Sequence, residues 1–314
     1  MRLAPLLVLL LALTGLGCGG SSEADSDAAT TTASTRAAAP AGSLRARLDE
    51  DDAENSALLY GTSDFAVGEN RISFLLVRGD GELVQAPRAE VLVARGALTR
   101  VPSIEGEAEL VPLGPHSHPR ATESHDHADA QDLYVTKVRF DRPGRYWLLV
   151  QPEGEDIQGY GSVDVRAKTV SPPVGSRAIP SDTPTLADAP ARKLTTARPP
   201  DTELLRHSVK DSLRAGVPFV VTFATPRFCA SRTCGPTVEV VDKVRRSVKG
   251  DARFIHVEVY RDNDPNKGVN RWMLEWKLPT EPWVFVVDRR GVIRAKFEGS
   301  VSVAELEDAV RLVL

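Results

Sequence analysis

Seven prolines (Pro172, Pro173, Pro180, Pro184, Pro190, Pro199 and Pro200) stand between residues 168 and 200, and the hydrophobic rhythm differs on their two sides. Before them, short runs alternate with period two: NRISFLLV (70–77), AEVLVAR (89–95), DLYVTKVRF (132–140), RYWLLV (145–150) and GSVDVR (161–166). Turn residues such as Gly79-Asp80-Gly81 and Pro143-Gly144 separate them. After the prolines, helical and strand patterns take turns. The change of period predicts two differently built domains joined by an extended, semi-rigid connector over 169–200.

For residues 44–168 the alternation puts Ile72, Phe74 and Leu76 on one face, and likewise Tyr134, Thr136, Val138 and Phe140. The expectation is an all-β, immunoglobulin-like sandwich. For residues 201–314 it is an α/β domain with a mixed sheet. DTELLRHSVKDSLRAG (201–216) reads as a helix closed by Gly216, and VPFVVTFA (217–224) as a buried strand. A helix over 236–248, a strand over 252–260 and a helix over 266–276 follow. WVFVVD (283–288) and VIRAKFEG (292–299) predict a hairpin, and Ser302-x-x-Glu305 is a capping box opening a last helix.

The chain has three cysteines in 314 residues. Residues 1–17, MRLAPLLVLLLALTGLG, carry one Arg ahead of an apolar run shorter than a bilayer span, which reads as a signal peptide. Gly15-Leu16-Gly17-Cys18 then resembles the lipobox of bacterial lipoproteins, which implies lipidation at Cys18 and a membrane anchor. Residues 18–43 are small, polar and without apolar periodicity, a flexible tether with a reach of roughly 25–30 Å. Everything beyond Cys18 is therefore expected in the extracytoplasmic space, where disulfides persist. A net charge of −4 gives no basic field for phosphates, so nucleic acid is excluded as a partner.

The other two cysteines, Cys229 and Cys234, stand in FVVTFATPRFCASRTCGPTVEVV (219–241), between a strand and a helix. This segment resembles the active-site segment of the thioredoxin-like superfamily, and the likeness extends over residues 200–314. It implies a thioredoxin-like fold and a thiol–disulfide oxidoreductase in which Cys229 and Cys234 exchange electrons with protein thiols or disulfides. It also implies a cis-proline docking the substrate, matched by Pro282 with Pro279 as the alternative, and Glu281 beside the thiols. The pair departs from the family in its Cys-x4-Cys spacing, and Thr222 replaces the family's buried acid. A thiolate at the helix start is favoured by the dipole, which predicts a lowered pKa. Which cysteine attacks stays open.

A competing reading keeps the fold and drops the chemistry: an inert disulfide stapling a non-enzymatic binding module. Copper-delivering assembly proteins also carry two cysteines after the first strand, but pair them with a His that LPTEP (278–282) lacks. No cofactor is expected, with one candidate exception. His116, His118, His125 and His127 crowd with Glu123, Asp126 and Asp129 into one loop, as a transition-metal site or a solvated loop. His256 reads as structural, and Trp272 and Trp276, four apart, as core.

Overall fold

The computed structural model describes residues 39–50, 53–113, 132–229, 233–248 and 252–314. A short helix α1 (Leu44–Glu50) precedes seven strands, β1 (Glu54–Tyr60), β2 (Gly68–Val77), β3 (Arg88–Arg95), β4 (Ile104–Pro112), β5 (Asp132–Phe140), β6 (Gly144–Pro152) and β7 (Ile157–Val165). They form a closed barrel in the order β1-β2-β5-β4-β3-β6-β7, closed by parallel pairing of β1 with β7 from Glu54↔Ile157 to Ala57↔Tyr160. The immunoglobulin-like sandwich is thereby corrected. Period-two alternation defines one buried face per strand, but not whether two sheets face each other or one sheet curls shut. Here the ends of the segment pair, and glycines make room: a Cβ on Gly159 would collide with Leu76, and one on Gly161 would lie 3.0 Å from Tyr60 Oη.

Side chains fill the barrel, so it is a packed core and not a channel. Ile72, Phe74, Leu76, Val91, Tyr134 and Phe140 are among them, with Phe74 stacked on Tyr134 at 5.4 Å. The Tyr134 hydroxyl donates to Ala86 O at 2.8 Å, and burial raises its pKa to about 12. Leu44 and Leu48 of α1 pack on the outside against Leu92, Ala94 and Leu149.

The C-terminal residues contribute α2 (Ala191–Leu194), α3 (Val209–Ala215), β8 (Phe219–Phe223), α4 (Cys234–Ser247), β9 (Arg253–Val257), α5 (Arg271–Glu275), β10 (Trp283–Val287), β11 (Ile293–Glu298) and α6 (Val303–Arg311). The strands make a small sheet in the order β11-β10-β8-β9, with β8 and β9 parallel and the other pairs antiparallel. The expected α/β thioredoxin-like domain is corrected as well: this is a second small sheet with few helices attached to a barrel. The helix expected over 201–216 shrinks to α3 because the Ser208 side chain accepts from Asp211 N and caps it there. The helix expected over 266–276 shrinks to α5 because Asn270 Oδ1 accepts from Trp272 N and Met273 N, after a Gly268 at φ 72°.

One sheet face packs on α4 and α6 through Val220, Val284, Val286, Val241, Val244, Leu306 and Val310. The other buries Phe219, Phe223, Phe285, Met273 and Trp276. The proline-rich stretch runs along the β11 edge, where Arg177 bridges Val292 and Ala178 N donates to Gly291 O. Its Ser181 accepts from Trp276 Nε1 at 3.0 Å.

Barrel and sheet belong to one compact unit and share a polar seam. Glu298 Oε2 accepts from Ser63 N and Asp64 N, both at 2.8 Å, while Oε1 accepts from Ser63 Oγ at 2.6 Å. Asp64 accepts from Val170 N, Ser171 N and Ser171 Oγ, and Lys296 Nζ reaches Ser171 Oγ at 2.8 Å. Arg71 of β2 grips Glu305 of α6 through two nitrogens at 2.6 and 3.1 Å. Charge-assisted, partly buried bonds of this kind are the strong ones.

Candidate functional site

Strand β8 is buried along its whole length and ends at Phe223. The chain then turns through Thr225–Phe228 to Cys229, and Cys234 is the first residue of α4. Pro236 sits in that first turn, where a missing N–H costs no helical bond. The Thr233 side chain makes no cap bond to α4, and Cys234 stands at the positive end of that helix.

Cys229 is half-buried and Cys234 is fully buried, and both are free thiols. The Cys234 side chain is hydrogen-bonded to Cys229 and to the Thr225 backbone. Burial pushes the Cys234 thiol far above its usual range, Cys229 adds to this, and Glu281 adds a little more. The lowered pKa expected at the helix start is reversed for Cys234, because desolvation of a charge inside the core outweighs half a unit of dipole charge.

Opposite the pair, the Glu281–Pro282 peptide bond is cis. Burial, followed by the charge of Cys229, raises the pKa of Glu281, against the opposing hydrogen bond of Tyr260. Tyr260 Oη donates to Glu281 Oε1 at 3.4 Å, and the Tyr260 ring meets Phe228 edge-on at 6.5 Å. Glu281, Tyr260 and Phe228 thus surround the outer thiol.

The loop carrying Glu281 and Pro282 is held from the barrel. Thr280 Oγ1 donates to Glu298 Oε1 at 2.9 Å and accepts from Trp283 Nε1 at 3.1 Å, and Gly299 N donates to Pro282 O at 2.8 Å. Since Glu298 is itself gripped by Ser63 and Asp64, the barrel reaches the cysteine site through two side chains.

Behind Cys234, the hydroxyls of Thr222, Thr225 and Thr237 are buried without a hydrogen-bond partner. Of the described carboxylates, the one whose charge acts on Cys234 is Glu281. His256 of β9 is buried, its Nε2 within 3.0 Å of Ala224 O, and Trp276 is wholly in the core.

Cys18 and His116, His118, His125 and His127 lie outside the described residues. Among the described residues no group of three or more His, Cys, Asp or Glu could hold a metal ion, and no helix is long and apolar enough to cross a membrane. Pro279, the alternative to Pro282, is not in a cis bond, whereas Arg198–Pro199 is a second cis bond that the sequence did not flag. Tyr260 and the Thr196–Thr202 stretch beside Arg227 were also missed; they come from distant strands and turns that no local pattern ties to Cys229.

No protein-family model matches the chain, and no curated protein matches it.

Proposed function

We propose that the chain is a membrane-tethered, extracytoplasmic thiol–disulfide oxidoreductase working through Cys229 and Cys234. The observation that carries the reading is the asymmetry of the pair: an outer, half-exposed Cys229 hydrogen-bonded to an inner, fully buried Cys234. A partner disulfide can reach only Cys229. That supports Cys229 as the attacking sulfur and Cys234 as the resolving one.

In the reducing direction the Cys229 thiolate attacks one sulfur of a partner disulfide. The Cys229–partner bond forms and the partner's other sulfur leaves as a thiolate that takes up a proton. Cys234 then gives up its proton and attacks Cys229 Sγ; the Cys229–Cys234 bond forms and the second partner sulfur leaves. Two electrons pass to the partner, and the reverse sequence oxidises it. The high proton affinity of buried Cys234 makes its deprotonation the demanding step, and Glu281 is a titratable acid that interacts with both sulfurs. The anchor belongs to this proposal through Cys18 alone.

The test is the equilibrium reduction potential of the pair, read by mass-tagging free thiols across glutathione ratios. A value between about −120 and −270 mV is expected. A pair still oxidised below about −300 mV makes it a structural staple and leaves a binding module.

A further inference from the structure

A cleft of about 1030 Å³ opens beside the cysteine pair. One wall is the irregular stretch from Thr196 to Thr202, and the other is α4 from Gly235 to Arg246. Pro226 and Arg227 close the end nearest Cys229, and Pro199, Pro200, Pro226 and Val238 give apolar surface. The volume is at the top of the ~300–1,000 Å³ range of small-molecule pockets, and the shape follows the helix away from the thiols.

Its charge is lopsided. Arg245 is spent on Asp242 at 2.6 Å and Asp201 at 4.0 Å, and Arg246 is spent on Asp242. Glu239, the remaining carboxylate of the lining, is itself engaged. Arg198, Arg227 and Lys243 are all exposed. Arg198 Nη1 donates to the carbonyls of Thr195 and Ala197 at 3.2 and 2.7 Å, and Arg227 lies 5.5 Å over the Phe228 ring. Among the described residues none of these three cations has an anionic partner.

We infer that this cleft binds an acidic, extended polypeptide segment flanking the disulfide of the protein that Cys229 attacks. Three cations without an anionic partner among the described residues, along a trough whose lining reaches Arg227 two residues before Cys229, steer and align a negatively charged chain, while the prolines and Val238 take its apolar side chains. The inference rests on the exchange reading for the role of Cys229. The cleft can be tested without that reading.

The purified full chain is titrated with two cysteine-free, fluorescein-labelled octapeptides, one rich in Glu and Gly and one rich in Lys and Gly, followed by fluorescence anisotropy. Only the acidic peptide should bind, and raising salt from about 50 to about 500 mM should release it. Arg198→Glu and Lys243→Glu should each weaken it about ten-fold, and Lys243→Arg should restore it. In a second arm, exchange rates are compared for cystine peptides with acidic or neutral flanks. An acidic preference of about ten-fold, read as the ratio of the two rates, should vanish in Lys243→Glu. Binding of both peptides alike, binding of neither, or binding that survives both charge reversals overturns the cleft. Acidic-peptide binding without any exchange supports the cleft and removes the oxidoreductase reading. Exchange indifferent to flanking charge removes the cleft and keeps the oxidoreductase.

Discussion

The barrel and the four-stranded sheet bury similar kinds of side chain but terminate differently. Inside the barrel, Phe74, Tyr134, Phe140 and Tyr146 fill the space, and the Tyr134 and Tyr146 hydroxyls find carbonyls at Ala86 and Arg142. In the sheet, the end of β8 and the start of α4 hold the buried hydroxyls of Thr222, Thr225 and Thr237 without partners, beside a half-buried Cys229 and a fully buried Cys234. The barrel also buries Tyr60 Oη, Ser73 Oγ and Gln158 Oε1 without partners, so what sets the sheet apart is the cysteine pair at one end. Glu298 is one point where the two meet, bonded to Ser63 and Asp64 on one side and to Thr280 on the other.

The sharpest separation comes from the thiols. Cys229→Ser should abolish disulfide exchange, a fall of roughly a thousand-fold or more, while thermal unfolding stays within about 2 °C of the parent. Phe74→Ala should do the opposite. Opening a cavity in the barrel core costs about 3–5 kcal/mol in denaturant unfolding, and the alkylation rate of Cys229 in the still-folded fraction should be unchanged. If that rate falls in step with stability, the two regions are not separable.

Glu298→Gln tests the joint. It weakens charge-assisted bonds to Ser63, Asp64 and Thr280 at once, so a loss of about 2 kcal/mol is expected together with a shifted pH profile of Cys229 alkylation. A stability loss with an unshifted profile would confine the seam to holding the fold.

Glu281→Gln removes a carboxylate whose repulsion with Cys229 is mutual, so iodoacetamide should modify Cys229 a few-fold faster at neutral pH. The raised carboxyl makes the folded protein bind more protons than the unfolded chain, so its charge costs stability as pH rises above the usual Glu range. The variant should therefore gain slightly at neutral pH and not at acid pH.

The smallest effect concerns Glu305. Burial pushes its carboxyl up, but the bonds and charge of Arg71 and the Ser302 cap outweigh burial and hold it below the usual value. Its stabilisation is complete above the unfolded-chain pKa and is lost as pH falls through the folded one. Melting curves from about pH 6 to about pH 3 should show a shallower loss in Glu305→Gln than in the parent.

Local sequence determined a good deal here. The runs 70–77, 89–95, 132–140, 145–150 and 161–166 are strands because alternating apolar residues need a period of two. The Ser302–Glu305 box opens α6 because both groups satisfy backbone N–H groups within one turn. Cys229, Cys234, Glu281 and Pro282 were nameable as residues, since thiols, a carboxyl and a proline announce their chemistry by type. Strands β1 and β4 escaped notice, because ENSALLY and IEGEAELVP show mostly exposed or half-exposed side chains and no clean alternation.

Tertiary structure decided the rest. Whether the first sheet is a sandwich or a barrel turned on pairing Glu54–Ala57 with Ile157–Tyr160, about a hundred residues apart, which no local pattern encodes. The second sheet lost helix to caps at Ser208 and Asn270 and was not the expected α/β class. The acidity of Cys234 followed the same logic: its place at a helix start is written in the sequence, but the burial that reverses the dipole's effect exists only once β8, α4 and their neighbours have closed around it.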